Sequence, residues 1–447
     1  MSSATQSTIV VVSVGTRGDI QPYCILGQAL AKRGHHVVVA TEKRLEAFVA
    51  SEYGLPVRCL DGDSVGGLFD ADFQRRLRDA KFLEMFALFD SWMDQFDPTV
   101  ILQSYAAALA GADMVITGPL TLVQSYSVAE QLHATWVPVF LGTLPLPTSE
   151  FPHLLLEDFT FASRWLNRVS HALIWSALWS KLQRPVNAWR QTSLQLPPIQ
   201  SSYGVLDVIL ANDSVTVYQA CSLLFCGPNR RLPLDYAIGK VDFTGFLFPD
   251  SELNTTGSVA LEDFLRASAL PVIYIGFGSM PTLEPAALLR LAIDVCAMAN
   301  CRCVLVTGWT AVGDVEVARQ EASSTVHVEA SVSHPWLFPQ MACILHHAGI
   351  GTVAAALRSG VPQIPCPLLL DQFHNANEVV ALGVAPCAIP KTKMTAAHVG
   401  DAVQRVLRNE DNIQTKANRL GTYVTKESNG AVDRLCGLIL ATSPTFG

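Results

Sequence analysis

The sequence holds an aspartate where a phosphate-binding turn would be expected to avoid one. In "VVVSVGTRGDIQPYC", Asp19 stands in a glycine turn between an apolar run and a helical pattern. Such turns ordinarily bring backbone amides up to a phosphate, which a carboxylate repels. With Pro22 at the first helical position the cap would be Gln21, which places Asp19 too early for capping. Two readings stay open, a surface turn residue and a general base. For the second, an aspartate with an ordinary pKa of about 3.9 is ionised at neutral pH and can take a proton from a hydroxyl.

Three further stretches carry chemistry. In "HHAGIGTVAAAL", His346 and His347 end an apolar run, Gly349 and Gly351 follow, and a helix is expected from Thr352. Free amides at a helix start carry about half a positive charge and suit a phosphate, and a histidine beside them adds a hydrogen bond. A purely structural turn is the alternative. A dihistidine metal site lacks a third ligand at a recognisable spacing, so no metal is expected. In "GFGSM", Ser279 offers a hydroxyl and an amide to the same diphosphate, or simply caps a helix. In "LLLDQFHNAN", Asp371 and Gln372 pair a carboxylate with a carboxamide, a set suited to adjacent sugar hydroxyls; helix capping also explains Asp371. "DGD" at Asp61 resembles an acidic metal pair but is expected to lie away from the strand ends.

These residues need a frame. "TIVVVSVGTRGDIQPYCILGQALAKRGHHVVVAT" reads as strand, glycine turn, helix and strand, and "PVIYIGFGSMPTLEPAALLRLAIDVCAMANCRCVLVTG" repeats the order. Val- and Ile-rich strands alternating with amphipathic helices indicate parallel sheets covered on both faces. The 447 residues exceed one ordinary core. Two Rossmann-like α/β domains are therefore expected, joined in the turn-rich region 228–260, with the ligand site in the cleft beyond their strand ends. Trp165, Trp175, Trp179 and Trp189 recur at roughly helical spacing. They fit a packed core stripe, the lining of an apolar site or shallow membrane contact.

Composition excludes several classes. Apolar residues make up 50% and charged ones 16%, which rules out disorder. The formal net charge is −8 and no run of Lys or Arg stands out, so no nucleic-acid partner is expected. Eleven scattered cysteines without zinc-ligand spacing read as reduced thiols. With no visible secretion signal and no apolar run of about 18 residues, a cytoplasmic location is expected.

Together, "VSVGTRGDIQPYCILGQAL", "EFPH", "VNAWRQTSLQLPP", "VIYIGFGSM", "WLFPQMACILHHAGIGT" and "DQ" resemble the inverting nucleotide-sugar glycosyltransferases. The nearest branch is that of the UDP-glucose:sterol glucosyltransferases and related bacterial natural-product enzymes. The resemblance runs in order from about residue 8 to residue 410. It implies the GT-B fold: an acceptor domain over 1–240, a donor domain over 241–424, and a terminal helix, 425–447, returning to the first. By the same resemblance Asp19 is the catalytic base. His347, Ser279, Gly349, Gly351 and Thr352 meet the donor diphosphate, Asp371 and Gln372 hold the donor sugar, and Ala330 to Trp336 lies near uracil. Departures occur: sterol enzymes read "HHGGAGTT" where this chain has Ala348, Ile350 and Val353, and "PFWG" where it has "FHNAN". The implied activity is metal-independent transfer of a hexose, glucose first, from a UDP-sugar to a hydroxyl of an apolar sterol or terpenoid, with no further cofactor. Peripheral membrane contact is compatible with such an acceptor. Other acceptor classes (polyketide, flavonoid or glycolipid), a nucleotide-sugar epimerase and a non-catalytic lipid-binding relative are the alternatives.

Overall fold

The computed structural model describes residues 6–80, 82–142, 146–157, 163–249, 257–278, 280, 284–308 and 324–446. Internal contacts divide the chain into two units. The first comprises Met1–Val65, Phe89–Phe248 and Glu427–Gly447; the second comprises Gly66–Leu88 and Pro249–Lys426.

The first unit is built on seven strands: β1 Thr8–Val12, β2 His36–Glu42, β3 Val57–Leu60, β4 Met114–Thr117, β5 Thr135–Phe140, β6 Val217–Gln219 and β7 Val241–Phe243. They pair in the order β3-β2-β1-β4-β5-β6-β7, and every pairing is parallel. β1 shows why both faces must be covered. Ile9 and Val11 enter one apolar cluster with Leu26, Leu30, Leu435 and Ile439, while Val10 and Val12 enter another with Leu102, Tyr105 and Trp136. Successive side chains of a strand point to opposite faces, so a β-branched run buries itself twice. The terminal helix Ala431–Leu440 thereby belongs to the first unit. β7 pairs with β6, so this unit continues past residue 240.

The helix Arg164–Thr192 carries the tryptophans. Trp175, Trp179 and Trp189 are buried in the core, as a packed stripe requires, whereas Trp165 is 69% exposed.

The second unit holds β8 Val272–Gly276, β9 Arg302–Val306, β10 Val326–Glu329, β11 Cys343–His346 and β12 Gln363–Pro365, all parallel in the order β10-β9-β8-β11-β12. In each sheet the strand order reverses beside the first strand, between β1 and β4 and between β8 and β11. Doubly wound sheets bind ligands outside the carboxyl ends at such a reversal. Asp19 follows β1, and His347 follows β11.

Helix starts differ from expectation in two places. The first helix runs Arg17–Lys32 with Thr16 as its cap, so Pro22 lies inside it and not at its start. Local hydrogen bonding at Thr16 outweighs the proline's preference for the first position, and the missing proline N–H removes a single ladder bond. The helix expected from Thr352 begins at Ile350, capped by Gly349 and closed by Gly360 at φ 71°. Among the described residues no helix is long and apolar enough to cross a membrane.

Candidate functional site

The Asp19 turn is built by an exchange between two residues. The Thr16 N–H donates to Asp19 Oδ2 at 2.7 Å, and the Thr16 hydroxyl donates to the same oxygen at 2.8 Å. Asp19 is thus the third residue of its helix and part of a capping box, which corrects the expectation that it falls too early for capping. Ser13 Oγ donates to the Asp19 carbonyl at 3.1 Å. Among the described residues Oδ1 has no hydrogen-bond partner. The carboxylate packs directly over Gly15, where φ is 123° and a Cβ would come 2.6 Å from Oδ2. A side chain there would displace the carboxylate and strain the backbone. Burial pushes the Asp19 carboxyl above its ordinary value, and the two Thr16 hydrogen bonds and the Arg44 cation pull it back down.

The second unit presents its candidate residues on the loops that follow β8, β11 and β12. His346 is fully buried. Its Nδ1 accepts from the Ala348 N–H at 3.0 Å, so its Nε2 carries the hydrogen and donates to Gln363 Oε1 at 2.8 Å. Burial lowers its pKa to about 3, and the neutral ring is a structural brace. His347 differs. Its ring lies between two glycines: a Cβ on Gly349 would come 2.4 Å from Nε2 and one on Gly278 3.4 Å from Cε1. Burial, with His334 nearby, lowers its pKa to about 4. Among the described residues its buried Nδ1 has no partner, and an unmet polar atom of this kind marks a place where a ligand can bond.

The helix after His347 offers its free end. Val353 N–H makes the first bond back, to Gly349 at 3.0 Å, so the amides of Ile350, Gly351 and Thr352 have no acceptor within the helix. A Cβ built on Gly351 meets nothing within 4 Å, so the space beside this residue is open. Ala348, where the sterol enzymes have glycine, holds φ 64°.

Asp371 and Gln372 start the helix Asp371–Ala381 with different exposure. The Asp371 side chain is exposed and its Oδ2 accepts from Asn375 Nδ2 at 3.0 Å. Gln372 is buried, and its Oε1 accepts from the Leu368 and Leu369 amides at 2.9 and 3.1 Å. Its carboxamide oxygen therefore holds the loop in place, which leaves only the NH2 end for a sugar. Ser279 lies outside the described residues. In the segment expected near uracil, His334 stacks on Phe338 with ring centroids 4.3 Å apart, and Trp336 covers Gly257.

Two polar residues that carry these loops were not singled out from sequence. Asn375 Nδ2 donates both to Asp371 and, at 3.1 Å, to the Ala348 carbonyl, which ties the histidine loop to the aspartate helix. The Asp371 to Asn375 spacing of one helical turn was the available signal. Arg44 is the other. It pairs with Asp63 of "DGD", so that loop, which follows β3 directly, reaches the same sheet end as Asp19. Among the described residues no group of three or more His, Cys, Asp or Glu is placed to hold a metal.

Comparison with known proteins gives the following. Residues 9–132 match the glycosyltransferase family 28 N-terminal domain, and residues 320–425 match the C-terminal domain of the erythromycin biosynthesis protein CIII type. The chain is 29% identical over 439 residues to a sterol 3-beta-glucosyltransferase of Emericella nidulans, covering 95% of this chain and 29% of that protein. It is 27% identical over 448 residues to a sterol 3-beta-glucosyltransferase of Debaryomyces hansenii, covering 97% and 27%. The chain thus spans under a third of the length of these relatives. In fold it superposes on the calicheamicin glycosyltransferase CalG4 with a TM-score of 0.65 at 15% identity, covering 99% of this chain and 100% of that one. The glycosyltransferase VinC, solved in complex with dTDP, gives 0.62 at 17% identity, covering 96% and 100%. The chain has the GT-B fold, and it resembles the glycosyltransferases in both halves, the family 28 N-terminal domain in the first and the erythromycin biosynthesis protein CIII type C-terminal domain in the second.

Proposed function

We propose that the protein is an inverting hexosyltransferase that moves glucose from a UDP-sugar to a hydroxyl of an apolar acceptor, a sterol or a terpenoid. The observation that carries this reading is the division of labour within the Asp19 carboxylate. Oδ2 is committed to Thr16, and Oδ1 is left with no hydrogen-bond partner among the described residues, just beyond the carboxyl end of β1. In the scheme, Oδ1 takes the acceptor proton as the acceptor oxygen attacks the anomeric carbon from the face opposite UDP, and configuration inverts. The amides of Gly349, Ile350, Gly351 and Thr352, together with His347, receive the charge growing on the departing diphosphate. Ser279 is assigned to the same diphosphate. These groups are fixed before reaction and the scheme uses no metal. Asp371 and the NH2 of Gln372 hold the sugar hydroxyls.

The printed names of the relatives support glucose and a sterol. The likeness to the calicheamicin glycosyltransferase keeps other natural products in view as acceptors. The proposed location is cytoplasmic, with peripheral contact to a membrane where the acceptor resides.

The test crosses UDP-sugars with sterols, terpenoids, flavonoids and polyketides, reading UDP release and product mass. Asp19→Ala and Asp19→Asn are expected to lose at least ~10²-fold in turnover while still binding UDP, the low end for proton transfer by a positioned base. Undiminished turnover in both variants removes Asp19 from the scheme. Isomerisation of the UDP-sugar alone, or acceptor binding with no UDP release from any pairing, removes the transferase reading.

A further inference from the structure

We infer that Arg44 is a positioning residue for Asp19, acting through the single peptide unit that joins Gly15 to Thr16. The inference rests on the reading of Asp19 as the base. Arg44 is the second residue of the helix Lys43–Tyr53, directly after β2, and its side chain is 19% exposed. Its Nη2 donates to the Gly15 carbonyl at 3.0 Å. The amide on the other side of that peptide, Thr16 N–H, donates to Asp19 Oδ2 at 2.7 Å. One planar unit thus accepts from a cation at one end and donates to a carboxylate at the other. A donor whose carbonyl is already hydrogen-bonded is a stronger donor, so the guanidinium strengthens the bond to Asp19 as well as fixing its direction.

Arg44 is itself aimed from both sides. Its Nε donates to Asp63 Oδ1 at 3.0 Å, and Nη2 lies 3.5 Å from Glu42 Oε2. Glu42 is buried at the end of β2, and its Oε1 accepts from the Ser64 N–H at 2.5 Å. Trp92 Nε1 donates to the Asp63 carbonyl at 2.8 Å and holds that loop. The guanidinium therefore spans the exits of three neighbouring strands, β3, β2 and β1. Only a planar fork with several donors can do this; a lysine ammonium reaches one partner at a time.

The charges around Asp19 are few. Arg44 faces it across the turn, with Glu42 and Asp63 behind Arg44. Tyr23 lies beneath it, and its hydroxyl is held by the Val139 carbonyl at 2.5 Å. Arg17, in the same helical turn, leans toward Glu52 at 3.8 Å. Burial works against the ionised aspartate, and Arg44 is the cation that opposes it.

The experiment compares Arg44→Met and Arg44→Lys with the unaltered chain in pH profiles of kcat/KM for glucosyl transfer. The acid limb reports the pKa of the base in the free protein. Losing a nearby cation raises a carboxyl pKa, so the limb of Arg44→Met is expected to move up by about one pH unit. Its plateau is expected to fall ~10-fold, with KM for the UDP-sugar unchanged, because misaligning a catalytic group costs rate. Arg44→Lys keeps the charge and is expected to return the limb but not the plateau. Because Arg44→Met strands the buried Glu42, the double variant Glu42→Gln/Arg44→Met serves where the single one does not fold. A folded variant with unmoved limb and unmoved plateau overturns the inference. If the unaltered chain transfers no sugar, the proposed function fails independently. Arg44 is then judged by the Asp19 carboxyl titration followed by ¹³C NMR, and an unchanged midpoint in Arg44→Met overturns it.

Discussion

Gly15→Ala is the most direct test of how tightly the Asp19 turn is built. A Cβ at this position would lie 2.6 Å from Oδ2, 2.9 Å from Cγ and 3.1 Å from Cβ of Asp19. Non-bonded carbon contacts settle near 3.5–4.0 Å, so the carboxylate must retreat by about 1 Å. Retreat breaks its alignment with both Thr16 donors and turns Oδ1 away from its present direction. The backbone adds to this, since φ of 123° is a conformation that side-chain-bearing residues rarely adopt, and its strain is on the order of 1–3 kcal/mol. A displacement of about 1 Å in a catalytic group costs on the order of 10²-fold in rate. Gly15→Ala is therefore expected to lose ~10²-fold in kcat, read by UDP release against the best acceptor, while UDP affinity measured by calorimetry stays put. In an Asp19→Asn background the same substitution should cost almost nothing further, because residues acting as a unit are non-additive. A Gly15→Ala protein that retains its turnover, or one whose loss simply multiplies with that of Asp19→Asn, refutes the reasoning.

Two further outcomes are expected in the second unit. Asn375→Ala removes the donor to Asp371 and leaves the Ala348 carbonyl unpaired. It should lower stability by about 2 kcal/mol in urea titrations and raise KM for the UDP-sugar several-fold with KM for the acceptor unchanged; an unaltered donor KM removes Asn375 from the site. His346 and His347 have folded pKa values of about 3 and about 4, depressed from 6.5. The unfolded chain therefore binds more protons between these values, so their contribution is fully present above pH 6.5 and is lost as pH falls toward 4 and 3. At about 1.4 kcal/mol per pKa unit, His346 alone accounts for several kcal/mol. The thermal midpoint should fall across this window, and His346→Gln should flatten the fall; parallel slopes in both proteins contradict the assignment.

The two parallel sheets were legible because β-branched runs flanked by glycine turns leave a chain few other ways to bury itself. β1, β8 and β11, with the loops that follow them, lie where "TIVVV", "VIYIG" and "CILH" place them. What escaped were features that depend on a partner distant in sequence. Arg44 carries no local signal, since its three partners come from three strand exits and meet only once the sheet forms. The grouping of Gly66–Leu88 with the second unit is likewise invisible, because nothing in its composition distinguishes it from the residues on either side. Gln372 was assigned to a donor sugar by residue type and by resemblance, neither of which shows that the backbone amides of Leu368 and Leu369 hold its oxygen.

Asp19 shows why sequence reasoning framed the opening question too narrowly. A surface turn aspartate and a catalytic aspartate were set against each other and capping was set aside, as if one carboxylate could serve only once. A carboxylate has two oxygens, and the capping box uses only one of them. The cap is what makes the other oxygen useful. It fixes the side chain at the positive end of a helix, and two hydrogen bonds with a cation behind the turn work against the burial that raises its pKa. The same contact explains the glycine before it, because a carboxylate held this close to the backbone leaves no room for a side chain at position 15. The local rule and the chemistry therefore call for the same residues at the same spacing, and the structural role of Asp19 adds weight to the catalytic one.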